Sequence, residues 1–156
     1  MAVKPIPEGY HSITPYLSVD DAAGAIKFYE KAFGAKETVR MPGPDGKIAH
    51  AELQIGDSTI MLSDPFPQAQ AKNPKEVGAT TVGLFTYVED VDEVFKQALD
   101  AGATSTMEPQ DQFWGDRFGS VVDPFGHHWQ IATHVEDVPP EEMEKRSQEA
   151  MAAMSG

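Results

Sequence analysis

The chain contains one pattern twice. YLSVDDAAGAIKFYEKAFGA, residues 16–35, and FTYVEDVDEVFKQALDAGA, residues 85–103, read alike. Val19 matches Val88, Asp21 matches Asp90 and Ile26 matches Phe95, each 69 positions apart; one residue is then lost before Gly34 matches Gly102. A supersecondary unit that recurs restricts the chain to architectures that pair two copies of it. Each copy runs from a short alternating strand to an acidic cap, an amphipathic helix and a glycine stop. Ala25, Ile26, Tyr29, Ala32 and Phe33 share one helix face, as do Val91, Val94, Phe95, Ala98 and Leu99. Asp20 or Asp21, and Asp90, are candidate N-caps, and Gly34 and Gly102 suit the left-handed position after a helix.

Strand patterns follow each helix. KETVRM leads to the turn PGPDG, where Asp45-Gly46 favours a hairpin, and then to IAHAELQI, the turn GD, and STIMLS. In the second copy TSTMEP is followed by RFGSVV, the turn DPFG, and HHWQIATH. Each half therefore reads β-α-β-β-β, and the fold class is α+β. Module one spans about 10–66, a Pro-, Gly- and polar-rich linker about 67–79, and module two about 80–135. VPPEEMEKRSQEAMAAM predicts a C-terminal helix over about 139–154. Its narrow stripe of Met143, Ala150 and Met154 leaves two options open, docking on its own domain or reaching over a partner subunit. The whole length, 156 residues, is read as a single domain.

The net charge of −13 disfavours phosphate backbones and anionic lipid as partners, so neither nucleic acid nor membrane is expected. No apolar run approaches the ~20 residues of a membrane helix, and the N-terminus lacks a signal-peptide core. With no cysteine there is no thiolate chemistry. These features set the expectation of a cytoplasmic protein.

The paired modules, with ITPYLSVDDAAGAIKFYEKAFGA, DPFGHHW and ATHVEDVPPEEM, resemble the glyoxalase/bleomycin-resistance/dioxygenase group, the vicinal oxygen chelate proteins, and most of all its PhnB-like branch. The resemblance covers residues 12 to about 145. It implies two tandem modules whose curved mixed sheet encloses a ligand cleft, often completed in a homodimer. It does not imply one activity, because the group holds metal-dependent lyases, isomerases, dioxygenases and thiol transferases beside metal-free drug-binding proteins. Its metal-dependent members carry His, Gln or Glu on the first and last strands of each module. Here those places fall on Thr14, Met61 (or Ile60), Gly83 and Gln130, of which Gln130 alone coordinates hard metals. A catalytic zinc normally takes three His, Cys or carboxylate ligands, so no metal and no cofactor is expected.

Three of the five histidines, His127, His128 and His134, fall within eight positions. His127 is expected to bond locally to the DPFG turn. His128 and His134 share a strand face but lie about 20 Å apart, too far to share an ion. His50 and Glu52 stand two apart on one strand face. They are open to three readings: a solvated ion pair, a general base with an orienting carboxylate, or two metal ligands. In DQFWGDRFG, Trp114 offers flat apolar area and Arg117 a bidentate grip on an anion, unless Asp116 neutralises it. Phe85 shares the parity of Gly83.

The expected function is metal-independent binding and sequestration of a small molecule by a homodimer, with His50, Glu52, Met61, Phe85, Trp114, Arg117 and Gln130 lining the site. No catalytic residue is assigned. The alternative is a divergent metal-dependent lyase, isomerase or dioxygenase using His50, Glu52 and Gln130.

Overall fold

Both copies of the repeat form β-α-β-β-β modules. The structure, a computed structural model, describes residues 2–155. The first module contains β1 (Tyr16–Ser18), α1 (Ala22–Phe33), β2 (Lys36–Pro42), β3 (Ile48–Ile55) and β4 (Ser58–Ser63). A short helix, α2 (Pro74–Val77), follows. The second module contains β5 (Gly83–Tyr87), α3 (Val91–Ala101), β6 (Thr104–Asp111), β7 (Asp116–Val122) and β8 (His128–His134), and α4 (Pro140–Ser155) ends the chain. There are two four-stranded mixed sheets, ordered β1-β4-β3-β2 and β5-β8-β7-β6. In each, the first strand runs parallel to the last. The chain divides into two compact units: one comprises the chain through Thr81 together with Pro124–His127, the other Val82–Asp123 and everything from His128 onward.

Helix ends follow from local chemistry. Asp21 accepts a hydrogen bond from the Gly24 amide, and Asp90 from the Glu93 amide, so each satisfies a free donor of the first turn. A second acceptor comes from the end of each sheet. Asp64, just past β4, takes the Ala22 amide at 2.8 Å and the Ile48 amide at 2.7 Å. Thr133 in β8 takes the Val91 amide at 2.8 Å. Gly34 closes α1 at φ 68, a conformation that costs a residue with a Cβ about 1–2 kcal/mol. The β2–β3 hairpin turns through Asp45 (φ 58) and Gly46 (φ 74), two successive left-handed residues that match the Asp-Gly signature.

The linker holds a helix that its composition hides. Asn73 caps α2 through the Glu76 amide, and Pro74 occupies the first turn.

In the first unit Ala25, Ile26, Tyr29 and Ala32 of α1 bury against the face of the sheet that carries Leu17, Ala51, Leu53, Ile60 and Leu62. Full burial of each large apolar side chain stabilises by about 1.5–3 kcal/mol. Phe28 lies off the predicted stripe yet is buried, because Phe125 packs edge-on against it at 6.2 Å. The DPFG turn thus contributes core to the first unit. His127 of that turn donates from Nε2 to the Ser18 carbonyl at 2.8 Å, a bond to β1 that lies beyond the local turn contact expected from sequence. In the second unit Val91, Phe95 and Ala98 of α3 are buried, as are Val121, Trp129 and Ile131. Trp129 and Ile131 stand on the helix side of β8, as strand parity requires.

Candidate functional site

Each sheet has a second face that its helix does not cover, and the predicted site residues divide between these faces. In the first unit one cross-strand row runs Tyr16, Met61, Glu52, Val39. His50 stands two residues from Glu52 on the same side. The His50 ring joins the row to itself: its Nε2 lies 2.8 Å from Glu52 Oε2, and its Nδ1 lies 2.9 Å from the Tyr16 hydroxyl. Glu52 is 8% exposed. Its other oxygen, Oε1, accepts from the hydroxyl of Tyr10, which approaches from the segment before β1. The two donors, Tyr10 first and His50 second, lower the Glu52 carboxyl below its ordinary value, and burial opposes them without prevailing. Glu52 is therefore a dependable anion at neutral pH. With Glu52 ionised, His50 Nε2 is the donor to it, and in the neutral tautomer that this bond selects Nδ1 accepts from Tyr16.

In the second unit the corresponding rows are Phe85, Gln130, Ser120 and Tyr87, Ala132, Phe118. This face is aromatic. Phe85 packs on Tyr87 at 5.2 Å and stacks on Phe118 at 5.7 Å; Phe118 meets Trp114 at 6.0 Å, and Trp114 meets Phe113 edge-on at 5.2 Å. Phe85 is 46% exposed and Tyr87 61%. Gln130 Oε1 would lie only 2.8 Å from a Cβ at Gly83, so that glycine leaves room for the amide.

Asp116 anchors the aromatic run. It is 2% exposed and accepts three side-chain hydrogen bonds: His134 Nδ1 at 2.9 Å, Tyr87 Oη at 2.8 Å and Trp114 Nε1 at 2.9 Å. Burial raises the Asp116 carboxyl, and these three donors together outweigh it, leaving the group lowered. His134 is raised, by Asp116 first and Asp137 second.

Arg117 is elsewhere. Alternation puts it on the opposite side of β7 from Asp116 and Phe118. Its Nε and Nη2 fork onto Asp92 of α3 at 2.8 and 3.0 Å, and Nη1 reaches Asp111 at 3.3 Å. The neutralising partners are thus Asp92 and Asp111 rather than Asp116. Arg146 of α4 donates to the Phe113 carbonyl at 3.2 Å and to both oxygens of Glu136 at 2.9 Å, which ties α4 to its own unit and steadies the Phe113–Trp114 loop.

The structure thus brings His50, Glu52 and Met61 together in one unit, and Phe85, Trp114 and Gln130 together in the other, and sets Arg117 apart from both faces. Tyr10, Tyr16, Phe118 and the Tyr87 and His134 bonds of Asp116 escape the sequence reading, because their partners lie far away in the chain or across strands; the Trp114 bond escapes it because Trp114 lies in a loop, where no strand parity fixes the direction of a side chain.

Residues 9–131 match the Glyoxalase/Bleomycin resistance protein/Dioxygenase superfamily, and the chain belongs to it. An uncharacterized protein of Mycobacterium bovis is 48% identical over 136 residues, which cover 85% of this chain and 90% of that one. The crystal structure of TioX from Micromonospora sp. ML1 superposes with a TM-score of 0.63 at 26% identity, covering 83% of this chain and 100% of that one. The PhnB protein from Bacillus cereus shares the fold, with a TM-score of 0.62 at 19% identity over 79% of this chain and 99% of that one.

Of the four places where the resemblance puts metal ligands, Thr14, Met61, Gly83 and Gln130, Gln130 alone carries a side chain that ligates a hard metal. Met61 registers with Tyr16, Gln130 with Phe85 and Gly83 with His128. Thr14 lies before β1. Among the described residues no three His, Cys, Asp or Glu side chains converge as a metal site would require.

Proposed function

We propose that this protein binds and sequesters a small molecule on the aromatic face of the second unit, without a metal. The observation that carries this reading is the run of rings from Phe85 through Phe118 to Trp114, half-exposed on a sheet face. Aromatic side chains with a few polar groups among them are the usual lining of a ligand site, and exposed apolar patches mark binding. Gln130 supplies hydrogen-bonding groups beside the rings. The net charge of −13 favours cationic over anionic ligands. Arg117 has no part in the reading, since two carboxylates already hold its guanidinium. The proposal places the protein in the cytoplasm as a homodimer; the cysteine-free composition supports the first, and exposed Ile13, Val82 and Tyr87 support the second. A thermal-shift screen of planar aromatic compounds, followed by mass analysis of each binder after incubation, tests it. Sequestration requires binders that are recovered unchanged.

A second reading is favoured by one contact, the 2.8 Å approach of His50 to the buried Glu52. An imidazole oriented by a carboxylate is the arrangement of a general base. Conversion of a bound compound that Glu52→Gln abolishes supports an enzyme in place of sequestration.

A further inference from the structure

The sequence has four tyrosines, and their hydroxyls face different chemistry. Tyr29 is 0% exposed in the core of the first unit. Tyr10 donates to Glu52 and Tyr87 donates to Asp116. A carboxylate acceptor stabilises the neutral phenol and repels the phenolate, and both groups are raised above the ordinary tyrosine value. Tyr16 differs. It is 52% exposed, and its hydroxyl meets an imidazole nitrogen, His50 Nδ1, at 2.9 Å. Behind that ring, at 2.8 Å, stands the ionised and buried Glu52.

We propose that Tyr16 is a base-activated phenol nucleophile, the outer member of a Glu52–His50–Tyr16 relay, and that it accepts acyl groups from activated esters. The arrangement meets the requirements for such a site: nucleophile and base within hydrogen-bond reach, and the base oriented by a third group. In the step, the Tyr16 oxygen bonds to the acyl carbon while its proton passes to His50 Nδ1. The bond from the acyl carbon to the leaving oxygen breaks with its electron pair, and His50 returns the proton to that oxygen. Tyrosine ester and free alcohol or phenol are the products. Glu52 holds the imidazolium in between, as the carboxylate does in a serine-histidine-aspartate relay.

The inference rests on the His50–Glu52 pair of the second reading and is independent of the aromatic face. Failure to bind ligand at Phe85 and Trp114 leaves it standing, and failure of acylation leaves ligand holding standing. The full-length protein is incubated with p-nitrophenyl acetate, and the acetylation rate at each tyrosine is read by peptide mass mapping. Exposure alone favours Tyr87, which at 61% is the more accessible. The relay instead predicts Tyr16 acetylated at least about tenfold faster than Tyr87, a margin below the usual lower end for a positioned base. His50→Phe and Glu52→Gln, each shown to be folded by its thermal melt, should cut the Tyr16 rate while leaving the Tyr87 rate unchanged. Equal rates at Tyr16 and Tyr87 in the native protein, an unaltered ratio in both variants, or acetyl found on His50 with none on Tyr16 would overturn it.

Discussion

Trp114 and Asp116 are bonded two residues apart, indole Nε1 to carboxylate Oδ2 at 2.9 Å, and the same oxygen takes the Tyr87 hydroxyl at 2.8 Å. One buried anion therefore fixes two members of the aromatic run. Asp116→Ala removes the acceptor and leaves the half-buried Trp114 indole N–H unsatisfied, at about 1–3 kcal/mol for such a group. Denaturant unfolding should show a loss in that range. The Trp114 ring should also lose its fixed setting, giving a red-shifted emission relative to wild type. An unchanged midpoint and unchanged emission would remove Asp116 from its anchoring role.

The His134–Asp116 contact makes stability depend on pH in a definite direction. His134 is raised above 6.5 in the folded protein, so its contribution is complete below the unfolded value and is lost as pH rises through the folded one. Asp116 is lowered from 3.8, so its contribution is present above that value and is lost as pH falls through the folded one. The pair supports the fold in the window between. His134→Gln should therefore lower the melting temperature more at about pH 5.5, below the ordinary imidazole value, than at about pH 9. A penalty that grows with pH would contradict the assignment.

Phe125 is 7% exposed and fills the first unit beside Phe28, although it sits in the turn that leads to β8. Phe125→Ala should destabilise by about 3–5 kcal/mol, the cost of truncating a buried phenylalanine. Hydrogen exchange should locate the loosening in α1. A loss under about 1 kcal/mol, of the size typical of surface positions, would show that the turn carries no core.

The modules were legible because their signals are local. The caps at Asp21 and Asp90, the left-handed Gly34 and the Asp45-Gly46 turn each depend on residues within four positions. The pairing of His50 with Glu52 was legible for the same reason, since strand parity places positions two apart on one side. What hid the rest is separation along the chain. Tyr16 meets His50 across 34 residues, Tyr10 meets Glu52 across 42, and His127 meets the Ser18 carbonyl across 109. Arg117 is a different lesson. Its aromatic neighbours suggested a ligand grip, but parity alone sets it on the other side of β7 from Phe118, where the acidic first turn of α3 captures it. The small helix α2 lay concealed in a polar, Pro-rich stretch whose signs were the Asn73-Pro74 start and the Gly78 stop.

The central claim is that a ligand is held by the rings of the second unit. Calorimetry with a binder from the screen, on the native protein and on Phe85→Ala and Trp114→Ala, tests it most directly. Loss of a central aromatic contact should weaken binding by at least about 2 kcal/mol, or about thirtyfold, in each variant. Arg117→Ala, altered on the other side of β7, should bind within about threefold of the native protein, the scatter expected of a residue outside the contact. Native affinity in both aromatic variants, or a loss confined to Arg117→Ala, would contradict the account.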